Sequence, residues 1–558
     1  MAKLCRPSGS LQGRSLHAAS PLARPAAAAR CVDSATFWFA GLIAVVPLLA
    51  SSVPPFFDYP GHLARVAIVN NILHGGFFEG LYQLNCVPVP NLAFDFAALA
   101  FMQVLSPYAA GIATLVLIQA VTLGGVAALS RAIHGRVQLT ALLAAVFINN
   151  WILLFGFMSY LAGLGVVLFA VAAYLRNERR SLGRQSLSIA VFVVMLYLCH
   201  LIAVGLYSII VVCLMLQELV RDGVSGRSRA AMFAARAAPL AVPPALYLAT
   251  YIYRVGSPNP GAELDVSDWS ELAFNIGYKI KVVWETILSG NLHADLLALV
   301  VLSLALILIL MRGSVSIDRR FLLPIGVIAV LSFAVPFRVS GAANIDIRLP
   351  IAAVYVTLAA TSIYLPRLSA RLLRHAFLVL IASRALVFLG AWSQSANAYH
   401  QMTAALDKLP RHATLYMATG APFPCPGYGD AARRLLWAIP AGHFHALASI
   451  EREIFVPDIW DDPMQHLILR KQQFLPAYDQ TFGAENIVDE QQVDMLISKI
   501  REAVHDDAVP DGPVYLITQR PDLMRERRLP LPVVAAGDDF AIYRVSPGTR
   551  SARVERKN

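Results

Sequence analysis

The sequence predicts a mostly α protein: a polytopic transmembrane helical bundle of about eleven crossings plus a partial helix, with a small C-terminal α/β domain outside the membrane. Three observations predict it. Apolar residues make up 57% of the 558 and charged residues only 15%, with a mean hydropathy of +0.58. Apolar runs of about 17–25 residues, the length that crosses a hydrocarbon core as a helix, recur as far as Trp392. Lys and Arg gather in the short segments between those runs, the pattern that marks cytoplasmic loops.

Threading the charges orders the elements. Residues 1–35 are basic and predict a disordered cytoplasmic tail; 36–392 make the bundle. Phe37–Val53 crosses outward, which puts 54–91 outside as a large first outer loop. Leu92–Leu105 is apolar but short and is read as a partial helix, because Tyr108–Leu129 must return to Arg131 and Arg136. Leu139–Trp151 then goes out, and Tyr160–Leu175 returns to Arg176 and Arg180. Leu187–Leu198 and Leu201–Leu219 form a pair turning at His200. Leu240–Tyr253, Leu296–Met311, Leu323–Phe337, Ile351–Leu365 and Phe377–Trp392 complete the alternation. In a bacterial cell this reads as a multi-pass inner-membrane protein with a cytoplasmic amino terminus.

From 393 to 558 acids, bases and prolines mix and no span occurs. Ala413–Ala418, Val514–Thr518 and Ala541–Val545 read as short strands and Gln491–Val504 as a helix, a periplasmic α/β domain in this topology. Six cysteines show no metal-ligand spacing. Cys86 and Cys425 both fall outside, compatible with a disulfide that nothing in the sequence fixes. The formal charge of +10 lacks the basic-aromatic interleaving that reads nucleic acid, so the expected surroundings are a membrane and no nucleic acid.

Asp58-Tyr-Pro-Gly-His62-Leu-Ala-Arg65 brings an acid, an imidazole and a guanidinium to the mouth of the bundle. Pro60 suits a helix start, so one reading is a capping acid with His62 and Arg65 on a solvated face. The functional reading makes Asp58, with His62, a proton acceptor for an incoming hydroxyl, and Arg65 a planar fork for phosphate oxygens. Asp95 is the candidate second acid, and His200 is a candidate substrate contact at an outer turn. Lys279, Lys281, Arg338 and Arg348 are further outward cations for an anionic substrate; Arg338 and Arg348 flank Asp346, which offers either an ion pair. Gly163-Leu-Gly165 lacks the rest of a dinucleotide fingerprint and reads as close helix packing. His443 and His445 stand two apart with no third ligand beside them, which argues against a zinc site.

The acid in a large first outer loop, the many helices, the basic inner loops and the C-terminal outer domain together resemble the C-type (GT-C) membrane glycosyltransferases. Asn149-Asn150-Trp151 through Gly156-Phe157-Met158-Ser159-Tyr160 also looks like uncharacterised relatives of that class. The resemblance implies transfer of a sugar from a polyprenyl-phosphate-linked donor to a glycan, lipid or protein acceptor, with Asp58 as catalytic base. Many such enzymes carry a second, adjacent acid; here Tyr59 follows Asp58, and a divalent metal ion stays open rather than implied. The rival classes are a transporter or flippase for a lipid-linked or anionic substrate, which would place charges along a path through the bundle, and a non-catalytic assembly protein.

Overall fold

The computed structural model describes residues 30–255, 279–280, 283, 291–335, 344–420, 443–471, 487–488, 490–519 and 529–545, leaving out 179, 222–225, 460, 507–508 and 539 within those ranges. The chain is mostly helical. Among the described residues seven helices are long and apolar enough to cross a bilayer: Pro107–His134, Met158–Asn177, Leu182–Cys199, Leu201–Val220, Ala230–Tyr253, Leu292–Arg312 and Arg367–Leu406.

Local sequence explains where the first helices begin and end. Helix α1 (Ser34–Val45) starts where the Asp33 carboxylate accepts from the Thr36 N–H, and it tightens into a 3-10 turn at Val46–Leu49, which contains Pro47. Helix α2 (Tyr59–Leu73) and the short α3 (Ala93–Met102) follow. Helix α4 (Pro107–His134) has Ser106 as its cap and Pro in its first turn, and Gly135 ends it in the left-handed region at φ 74°.

The segment Leu139–Trp151, expected as a crossing helix, takes another form. It is a 3-10 helix at Leu139–Ala145, a turn, and the five-residue α5 (Trp151–Phe155). Leu139 donates its N–H to the Arg30 carbonyl at one end, and the Leu154 carbonyl accepts from Phe57 N–H at the other. Protein surrounds this non-α backbone: Leu139, Ala141, Leu142 and Ala144 are buried. The polar side chains Asn149 and Asn150 are buried too, and bond to Gln119, the Ala44 carbonyl and the Leu153 N–H. They compete with helical backbone bonding here.

Helix α6 (Met158–Asn177) packs along α4 at glycine contacts. A methyl on Gly125 would stand 2.5 Å from the Gly165 carbonyl oxygen, and one on Gly165 would stand 2.9 Å from the Thr122 nitrogen. Close packing is therefore what Gly165 provides. Around this pair lie α7 (Leu182–Cys199), α8 (Leu201–Arg221), α9 (Gly226–Ala237), α10 (Val242–Val255), α11 (Leu292–Arg312), α12 (Arg319–Ala334) and α13 (Arg348–Ala360). The long α14 (Arg367–Leu406) runs well past Trp392, the expected end of the last span.

The bundle has two distinct ends. At one, Arg131 bonds Ser34, Arg30 bonds the Leu365 carbonyl, Arg320 pairs with Asp318 and Glu178, and strands β2 (Ser314–Ile317) and β3 (Thr361–Tyr364) form an antiparallel pair. At the other, Phe57, Phe94, Ser159, Tyr160, His200 and Arg348 meet. Asp58 belongs to this second end, opposite the basic loops.

The segment expected as the first outer loop is built structure. Strand β1 (Tyr82–Leu84) pairs antiparallel with β5 (Ile468–Arg470), and Asn85 bonds the carbonyls of Pro463 and His466. Helix α2 lies under a 3-10 turn at Phe444–Leu447 and under α15 (Ala448–Arg452), so its buried face meets both the bundle and the C-terminal chain. Beyond it a five-stranded sheet has the order β6 (Ile487–Val488), β4 (Thr414–Gly420), β7 (Val514–Gln519), β9 (Phe540–Val545), β8 (Val533–Ala536). β6, β4 and β7 run parallel, and β9 is antiparallel to β7 and β8. The three expected strands are all present. The amphipathic α16 (Glu490–His505) covers the sheet with Val493, Leu496, Ile497 and Ile500.

Candidate functional site

Asp58 sits at the N-cap of α2, yet its side chain makes no capping bond. Backbone contacts fix its place: its N–H donates to the Phe155 carbonyl at 3.2 Å and its carbonyl accepts from His62 N–H at 3.0 Å. Gly156, in the left-handed region at φ 92°, lies directly against it. The Asp58 carboxylate is 14% exposed, and one of its oxygens is 4.0 Å from His443 Nε2. The Phe57 ring stacks edgewise on His443, with centroids 4.8 Å apart. A carboxylate beside imidazole and aromatic faces, mostly out of water, is the setting in which proton transfer is efficient.

The capping reading, with His62 and Arg65 on a solvated face, does not hold: both side chains are buried. Arg65 is fully buried, and its guanidinium grips Asp95 with Nη2 at 2.8 Å from Oδ1 and Nε at 3.2 Å from Oδ2. The same Nη2 lies 2.7 Å from His62 Nδ1. Because Arg is only a donor, His62 accepts at Nδ1 and carries its proton on Nε2. Burial, then the charge of Arg65, holds the His62 ring well below its ordinary pKa, so it stays neutral. The structure thus joins two expected residues, Arg65 and Asp95, in one pair and sets Arg65 behind His62 rather than in reach of a phosphate.

Arg348 is one of the cations expected to face outward. It begins α13, lies 4.1 Å above the Phe157 ring, and feels the field of Asp58. Its Nη1 approaches His200 Nε2 at 3.3 Å, while His200 Nδ1 accepts from Ile202 N–H at 3.1 Å. A neutral imidazole accepts at one nitrogen only, so these two contacts compete. Among the described residues its buried Nε has no hydrogen-bond partner.

Among the described residues, the Asp346 carboxylate, for which the sequence left an arginine ion pair open, pairs with a lysine. Asp346 takes the ammonium of Lys279 at 2.6 Å, and Lys279 also donates to the Val335 carbonyl. Both side chains are buried. Lys281, Arg338 and Cys425 lie outside the described residues, and Cys86 is exposed. Arg384, a charge within a span, is paired with Asp295 at 3.2 Å near the Asp58 end.

Sequence reading dismissed His443 and His445 for want of a third ligand. The fold supplies one in Asp458: its Oδ2 lies 2.6 Å from His445 Nε2, and donor atoms of His443, His445 and Asp458 fall within 4.8 Å of one another. Burial opposes the charge on Asp458, but His445 outweighs it and holds the carboxyl below its usual range. Burial, then the neighbouring His445, pushes the His443 imidazole down to about 4. No signal short of the fold could have linked Asp458 to the histidines, because the spacing matches no ligand motif.

No family model matches this chain, and no curated protein does.

Proposed function

We propose that this protein is a membrane glycosyltransferase of C-type character, moving a sugar from a polyprenyl-phosphate-linked donor onto a glycan, lipid or protein acceptor. In this reading about eleven segments cross the inner membrane: α1 with its 3-10 turn, α4, the 3-10 and α5 segment, α6, α7, α8, α10, α11, α12, α13 and α14. The arginine-rich end faces the cytoplasm, following the positive-inside pattern, and the Asp58 end with the C-terminal α/β domain faces the periplasm.

The observation that carries the proposal is the Asp58 carboxylate, anchored by its backbone but unused as a cap, beside His443 and within the field of Arg348. Asp58 takes the proton of the acceptor hydroxyl as that oxygen attacks the anomeric carbon. The bond to the lipid phosphate breaks, and the departing phosphate carries the negative charge. A fixed guanidinium in a water-poor site stabilises such a charge strongly; Arg348 is the residue placed for this, and His200 beside it adjusts how its fork points. Charges that would mark a transport path are satisfied in pairs (Arg384 with Asp295, Lys279 with Asp346), which favours the transferase over the transporter.

The experiment is lipid analysis of a deletion strain. The expected result is accumulation of one polyprenyl-phosphate sugar, which membranes containing the protein then consume in vitro with transfer of the sugar. An unchanged lipid-linked pool, with no transfer from any polyprenyl-phosphate sugar supplied, would overturn the proposal.

A further inference from the structure

We propose that His443, His445 and Asp458 form a binding site for one zinc-class divalent cation, seated over the Asp58 mouth by the C-terminal chain. Three observations carry it. The donor set is two imidazoles and a carboxylate, with one atom from each within 4.8 Å of the others, and this nitrogen and oxygen combination suits Zn²⁺ and its first-row neighbours. All three residues are well covered, with side-chain exposures of 8% for His443, 1% for His445 and 6% for Asp458. Among the described residues, two buried polar atoms, His445 Nδ1 and Asp458 Oδ1, have no hydrogen-bond partner, although such atoms are nearly always satisfied.

Zinc ligands at about 2.0–2.2 Å from the metal stand closer together than the widest spacing here, so side-chain rotation of about an ångström closes the site. The 2.6 Å contact between His445 Nε2 and Asp458 Oδ2 already brings two of the three donors together. Asp58, 4.0 Å from His443 Nε2, adjoins the remaining side. The chain folds to build this: His443 opens the 3-10 turn that packs on α2, and His445 lies within that turn. The cation therefore fixes the 443–458 stretch of the C-terminal chain, whose 3-10 turn packs on α2. That binding claim stands alone; a role in neutralising the departing phosphate rests on the transferase reading.

The test uses the full-length protein in detergent with any affinity tag removed. It is stripped with chelator, dialysed against micromolar Zn²⁺ or Co²⁺, and assayed by elemental analysis and by the visible absorption of bound Co²⁺. The expected result is about one metal per chain for the wild type, with affinity lowered at least about 10–100-fold in H445A and in the isosteric D458N, while D461N, whose carboxylate lies 3.6 Å from Arg470 outside the donor set, binds as wild type does. The wild type should also gain thermal stability with added metal. Substoichiometric metal in the wild type, or full retention in both H445A and D458N, would overturn the site. Neither readout depends on sugar transfer, so metal binding without transfer would sink only the transferase proposal.

Discussion

Gly156 presses against Asp58 so closely that a methyl group on its Cα would stand 2.7 Å from the Asp58 Cβ and 2.9 Å from its backbone nitrogen. With φ at 92°, the residue also adopts a conformation that costs other amino acids about 1–2 kcal/mol. Gly156→Ala should therefore displace Asp58 and remove most activity. Gly135→Ala is the control: its φ is 74° and it has open space around it, so it should lose about 1–2 kcal/mol of stability and keep its activity. Comparing both variants for thermal midpoint and sugar transfer checks this; equal activity losses would contradict it.

The Arg65–Asp95 pair is fully buried, and breaking such a pair by removing one partner leaves an uncompensated charge. Arg65→Ala or Asp95→Ala should each destabilise the protein by about 3–5 kcal/mol, whereas the joint replacement Arg65→Met with Asp95→Leu should come close to wild type. Urea or thermal unfolding in detergent measures all three. Additive losses in the double variant would argue against the pairing.

Acid should loosen the docking of the C-terminal chain on α2. Burial, then Arg65, holds His62 well below its ordinary value of 6.5, and burial, then Arg65 and His62, does the same for His466. Near pH 6.5 the unfolded chain takes up protons at these rings and the folded chain does not. Stability is thus fully present above pH 6.5 and falls as pH drops below it, by up to about 1.4 kcal/mol per pH unit for each ring. Thermal midpoints at pH 7.5 and 5.5 should show the drop, and His466→Asn should shrink it. A midpoint flat across that range would refute the expectation.

The sequence was most legible where the signal is periodic or compositional. The helices from Tyr108 and Tyr160, the short helix near Asp95, and strands β4, β7 and β9 are all present where the pattern put them. The 3-10 form of Leu139–Ala145 was not legible, since apolar composition fixes burial but not helical pitch. Within the site, Asp58 and Arg348 were visible as isolated charges near apolar runs. Their partners were not: Arg65 meets Asp95 across 30 residues and Lys279 meets Asp346 across 67. No local pattern encodes contacts at such separations, so Arg65 looked available for phosphate while it is bound inside the fold. Asp458 went unseen beside His445 for the same reason.

The central claim is that the Asp58 carboxylate accepts the proton in sugar transfer. The most direct measurement is the initial transfer rate from a polyprenyl-phosphate sugar in membranes carrying Asp58→Asn at matched expression. Loss of a general base typically lowers such a rate about 10²–10⁴-fold, and that is the expected result, with the thermal midpoint unchanged. A rate equal to that of the wild type would contradict the account.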